Sequence, residues 1–136
     1  MVDFKVLISH AMKARERAYA PYSHFKVGAA LITKEGKIYE GCNIESASYS
    51  LCNCAERTAI FKAVSEGEKN FAAIAIVGAP EGQDITEICT PCGSCRQVMM
   101  EFCEPKDFKV VLPINSEKYE VYTLDELLPL GFKLDI

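Results

Sequence analysis

A chain of 136 residues with 49% apolar and 25% charged side chains has the size and balance of one globular domain, residues 1–136, and no apolar run nears the ~20 residues needed to cross a bilayer. Net charge is −4 and the 15 Lys and Arg are scattered, which excludes the basic face that nucleic acid requires and leaves a small molecule as the expected partner. Seven cysteines, an odd number behind an N-terminus (Met1 to Ser9) without a signal-peptide plan, exclude a disulfide framework, fit a cytoplasmic protein and point to metal or catalytic thiols.

Apolar side chains at Val6, Ile8, Ala11, Met12, Ala14, Ala18 and Tyr19 predict one helical stripe over residues 5–19, stopped by Pro21. Lys26 to Thr33 and Lys37 to Asn43 read as strands, joined across Glu35-Gly36 as a hairpin. Asn53 to Glu66 reads as a helix that starts on an Asn53 N-cap and ends on Gly67, with Ala59, Ile60, Ala63 and Val64 on its buried face. Phe71 to Gly78 is almost wholly apolar, as a strand covered on both faces must be. Thr90-Pro91, an N-cap hydroxyl before a first-turn proline, opens a helix that runs to about Cys103. Phe108 to Ile114 and Lys118 to Tyr122 read as further strands. Thr123-x-x-Glu126 is a capping box opening a short helix that ends at Pro129. This order predicts an α/β fold with a mixed sheet sandwiched by helices.

The chemistry concentrates in Cys54-Ala55-Glu56 and Pro91-Cys92-Gly93-Ser94-Cys95. Each falls at the start of a predicted helix, so two positive helix ends converge and favour thiolates. Three thiolates from Cys54, Cys92 and Cys95 leave a tetrahedral zinc with one open position for water, the mark of a catalytic rather than a structural site. Glu56 is placed to handle protons, although Asn53 and Glu56 also match a capping box. Cys92-x-x-Cys95 alone fits half of a structural zinc knot or a redox pair. Cys52 could complete a four-cysteine site of a partner-binding zinc module, but Cys52-x-Cys54 departs from the usual C-x₂₋₄-C knuckle, and a redox pair needs no second motif near residue 54. Three thiolates leave a zinc centre with a formal charge of −1. Arg57 and Arg96 could offset it by donating to sulfur, or lie on the surface as ordinary residues. Cys42, Cys52, Cys89 and Cys103 fit small packing side chains, and the sequence assigns them no role beyond that.

An x-Glu pair followed by Pro-Cys-x-x-Cys is the signature of zinc nucleobase deaminases. Over about residues 10–132 the chain resembles the small zinc-dependent cytidine deaminases. The matching segments are Ala20–Ser23, Phe25–Ala30, Gly41–Glu45, Cys54–Ala59, Pro91–Gln97 and Leu127–Pro129. The all-cysteine ligand set is similar to the short-chain, homotetrameric branch. That resemblance implies a three-layer sandwich with a mixed five-stranded sheet, and one zinc per chain on Cys54, Cys92 and Cys95. It assigns Asn43 and Glu45 to the ribose hydroxyls, Phe25 to the pyrimidine ring, the backbone at Ala55 to the base edge, and Phe132 to a neighbouring chain's base. It also implies hydrolysis of cytidine and deoxycytidine to uridine and deoxyuridine plus ammonia, with Glu56 carrying protons and Arg57 supporting the sulfurs. Another aminopyrimidine nucleoside deaminase, such as a blasticidin-type enzyme, is the alternative within the same chemistry.

Overall fold

The computed structural model describes residues 2–135; Met1 and Ile136, the two ends of the expected domain, lie outside them. In chain order the elements are α1 (Phe4–Arg15), β1 (Phe25–Thr33), β2 (Ile38–Cys42), α2 (Ala55–Ser65), β3 (Phe71–Pro80), α3 (Gly93–Phe102), β4 (Lys109–Pro113), β5 (Tyr119–Thr123) and α4 (Leu124–Leu127), with a single 3₁₀ turn at Tyr49–Leu51. The strands form one sheet in the order β2-β1-β3-β4-β5. Of the five strands among the described residues, β3 and β4 form the parallel pair, and a parallel pair needs a crossover, here α3. The mixed five-stranded α/β sandwich expected from the sequence is therefore the observed fold.

Alternation along the strands makes the three layers. Ala30, Ala73, Ala75, Val77, Ala79 and Val111 face α1 and bury Leu7 and Ala11. Ala29, Leu31, Ile74, Ile76, Val110 and Leu112 face the opposite way, onto Ala59, Ile60, Ala63, Met99 and Leu124 of α2, α3 and α4. Small side chains thus meet α1 and larger ones the other helices. Each fully buried Leu or Ile stabilises the fold by about 1.5–3 kcal/mol. The close approach of α2 depends on Gly41 in β2: a Cβ there would lie 2.5 Å from the Ala55 carbonyl and 2.5 Å from the Ala59 amide. Without that glycine the N-terminal end of α2, where the chemistry begins, would be pushed off the sheet.

The helix expected over residues 5–19 stops at Arg15. The Arg15 guanidinium turns inward and donates to the carbonyls of Lys26, Ala79, Pro80 and Gln83 at 2.8–3.1 Å. The chain then turns, and Tyr19 forms a bridge with Ile44 instead of continuing the helix. The stripe also shifts: Leu7 is buried, whereas Val6 and Tyr19 are 46% and 56% exposed. Two N-caps move as well. Cys54 rather than Asn53 caps α2, and Cys92 rather than Thr90 caps α3. Asn53 pairs its backbone with Ile44 and gives its side-chain amide to Thr58 Oγ1, so it has no part in a capping box with Glu56. The Thr123–Glu126 capping box of α4 is present as expected. Among the described residues no helix is long and apolar enough to cross a membrane.

Candidate active site

The N-terminal ends of α2 and α3 meet beyond the carboxyl end of β3, the side of an α/β sheet where ligands bind. Cys54 and Cys92 occupy the two N-cap positions, and Cys95 lies in the first turn of α3. Their sulfurs all lie within 4.8 Å of one another, with Cys54 Sγ 4.0 Å from Cys92 Sγ and Cys92 Sγ 3.4 Å from Cys95 Sγ. The Cys95 amide donates to Cys92 Sγ at 3.4 Å, and Arg57 Nη2 donates to Cys54 Sγ at 3.1 Å. The Arg57 Nε, buried beside them, has no partner among the described residues.

The donor set fits zinc. The hydrogen bond from Cys95, and after it the Arg57 guanidinium, lowers the Cys54 thiol to about 5. The same bond with Cys54, together with burial, pushes Cys95 upward. Sulfurs this close cannot all ionise unless a cation shares their charge, and thiolates are ligands that select zinc. Cys52 stands apart from them, its sulfur accepting from the Ser46 amide at 3.2 Å within its own loop. Burial raises the Cys89 thiol to about 11 and the Cys103 thiol to about 12.

Beside the sulfurs lies a cavity of about 480 Å³, lined among others by Asn43, Glu45, Cys54, Ala55, Glu56, Arg57 and Cys92. That volume suits a small organic ligand. Glu56, in the first turn of α2 and 4% exposed, has its carboxyl held above the usual carboxylate range, chiefly by burial and also by the nearby Cys54 charge. A carboxyl with a raised pKa can both take and return a proton near neutral pH.

Asn43 and Glu45 reach the cavity partly engaged. Asn43 Oδ1 accepts from the Val27 amide at 2.8 Å and its Nδ2 donates to the Phe25 carbonyl at 2.9 Å, so the side chain extends the ladder where β2 ends. One N–H and one lone pair of the amide stay free. Glu45 accepts from the Tyr22 and Ser23 amides at 3.1 Å and from Ser23 Oγ at 2.5 Å. The Ser23 bonds hold its carboxyl below the usual range and keep it charged.

Phe25 and Phe132 are not among the lining residues; they are 38% and 66% exposed. Arg96 turns away from the sulfurs and donates to the carbonyls of Pro91 and Leu127. Thr58 matters more than its place in the sequence suggests. Its hydroxyl lies 3.0 Å from the Cys42 carbonyl and 3.1 Å from the Cys54 carbonyl, and it accepts from Asn53. It thereby fastens the capping cysteine to the end of β2. No spacing rule marks a threonine one turn into a helix for that role.

Residues 1–112 match the family model described as "Cytidine and deoxycytidylate deaminase zinc-binding region". A cytidine deaminase of Halalkalibacterium halodurans is 51% identical over 131 residues, 96% of this chain and 95% of that one. The crystal structure of cytidine deaminase from Burkholderia pseudomallei superposes with a TM-score of 0.87 at 50% identity, covering 96% of this chain and all of the other. A blasticidin-S deaminase of Bacillus cereus is more distant, 34% identical over 109 residues, 78% of this chain and 76% of that one. Thiol cluster, fold and relatives agree, and the chain belongs to the cytidine deaminase family of zinc-dependent hydrolases.

Proposed function

We propose that this chain, acting as one cytoplasmic deaminase domain over residues 1–136, hydrolyses cytidine and deoxycytidine at C4 and releases ammonia. The observation that carries the reading is the cluster of Cys54, Cys92 and Cys95 sulfurs opening onto a cavity that also holds the buried Glu56. Cys54, Cys92 and Cys95 would hold zinc, which would supply Lewis-acid chemistry and make water more acidic. Arg57 and the two helix ends offset the charge of the thiolates.

Glu56 takes a proton from the attacking water and delivers it to N3 of the ring. The C4–O bond forms, the C4–N bond breaks, and Glu56 passes a second proton to the departing amine, so that ammonia and uridine leave. The backbone at Ala55 bonds the base edge, and Phe25 packs on the ring from the rim. The free N–H of Asn43 and the remaining lone pair of Glu45 take ribose hydroxyls. Both side chains are already held by protein hydrogen bonds, so loss of one ribose hydroxyl leaves neither without a partner, and deoxycytidine remains a substrate.

The site is completed in a homotetramer, where Phe132 reaches a neighbouring chain's base. Its 66% exposure supports this reading, because a ring packed on its own chain would be covered.

The test is turnover of the zinc-loaded protein, followed as loss of the substrate's ultraviolet band. Cytidine and deoxycytidine should be converted with similar kcat/KM. Cytidine monophosphate should be poorer by about tenfold or more, since ~1.4 kcal/mol of repulsion from ionised Glu45 suffices. Equal efficiency on the monophosphate would make this a nucleotide enzyme. Turnover of blasticidin S without turnover of cytidine would move the substrate to the alternative.

A further inference from the structure

Arg96 and Gln97 follow Cys95 directly on α3, the helix that carries two of the three thiols, and both reach the C-terminal tail. Arg96 Nη1 donates to the Leu127 carbonyl at 2.7 Å while its Nε donates to Pro91 at 2.8 Å. Gln97 Nε2 donates to the Phe132 carbonyl at 2.6 Å. Between these anchors Leu130 takes a left-handed conformation, φ 57°. Gly131 then packs so closely that a Cβ there would lie 2.9 Å from Leu128 Cδ2 and 3.1 Å from Met100 Sδ. The tail is therefore fastened to α3 by Arg96 at residue 127, by Met100 at residue 131 and by Gln97 at residue 132. Phe132 itself stays 66% exposed. Backbone held and ring free is the arrangement of an aromatic group presented to something outside its own chain.

We propose that Gln97, backed by Arg96, is a positioning residue that fixes the backbone of Phe132 so that its ring is pre-set for the base bound next door. This rests on the reading of Phe132 as a stacking residue. Ordering the tail in advance removes that cost from substrate binding, so the effect belongs in KM rather than in proton transfer. It also ties the thiol-bearing helix and the aromatic to one rigid element.

The test compares Gln97→Glu, which keeps the size but cannot donate, with Gln97→Lys, which keeps a donor. Each is made alone and with Phe132→Ala, in zinc-loaded protein. Gln97→Glu should raise KM for cytidine by about 3- to 10-fold, the weight of one hydrogen bond, with kcat and zinc content unchanged, and Gln97→Lys should recover most of the loss. Amides of residues 130–134 should exchange hydrogen faster in Gln97→Glu than in the parent. Phe132→Ala alone should reduce kcat/KM by roughly 5- to 150-fold, and adding Gln97→Glu should then cost nothing further. If Phe132→Ala leaves KM and kcat/KM unchanged, the stacking reading fails and this inference with it. If Phe132→Ala is impaired but Gln97→Glu neither loosens the tail nor raises KM, or lowers affinity equally without the ring, the inference alone fails.

Discussion

Replacing Glu56 with glutamine should leave fold and zinc in place and reduce kcat for cytidine by about 10²- to 10⁴-fold, the usual weight of a positioned acid–base group. Glutamine matches the shape and can still bond to the base, but it cannot accept a proton from water and pass it on. The capping-box explanation for such a loss is closed off by the local geometry. Cys54, not Asn53, caps α2, so Glu56 has no capping partner there to lose. Its carboxyl is buried and held above the usual range, so the folded state disfavours its charged form. Removing a buried ionisable group should leave the unfolding midpoint equal or higher, as is common where an active site holds strain for function. Steady-state kinetics with zinc analysis and thermal unfolding checks all three parts. Turnover within tenfold of the parent would remove Glu56 from the chemistry.

Cys54→Ala should abolish both zinc binding and activity, whereas Cys52→Ala should retain about one zinc per chain. The two residues are separated by one position in the sequence and by their surroundings in the fold. Cys54 caps a helix, receives Arg57 at 3.1 Å and faces Cys92 and Cys95. The Cys52 sulfur is taken up by Ser46. Loss of Cys54 leaves a pair of thiols and a half-buried guanidinium whose Nε already lacks a partner among the described residues. Two thiolates are a poor hold for zinc compared with three. Metal analysis after mild chelation separates the outcomes; retained metal in Cys54→Ala with loss in Cys52→Ala would reverse the ligand assignment.

What could be read from the chain was local or chemical. The β1–β2 hairpin turns at Gly36 with φ 99°, and α2 gives way to Gly67 with φ 93°, both places where glycine's freedom to take positive φ shows in sequence. The Thr123–Glu126 box lies within four residues and needs no tertiary partner. The thiol set was legible because three sulfurs and one acid at two helix starts have few other uses. Harder to see was anything that depends on distant backbone. Arg15 ends α1 because carbonyls at 79, 80 and 83 wait for it. Arg96 points to residue 127 rather than to the neighbouring sulfurs. Asn53 and Thr90 look like better N-caps than cysteine by propensity, but tertiary placement of the two sulfurs overrides that local preference by one residue at α2 and two at α3. Asn43 and Glu45 were visible as polar residues after a strand. Their bonds to β1 and to the Tyr22–Ser23 turn required the sheet.

The central claim is an open three-thiolate zinc site rather than a closed four-thiolate one. Anomalous scattering from crystals of the zinc-loaded protein, collected at the zinc edge, tests it most directly. One peak per chain should lie about 2.3 Å from the sulfurs of Cys54, Cys92 and Cys95, facing the cavity beside Glu56, with no fourth protein ligand. A fourth sulfur from Cys52 or Cys89 on the metal, or a peak away from these three cysteines, would contradict the account.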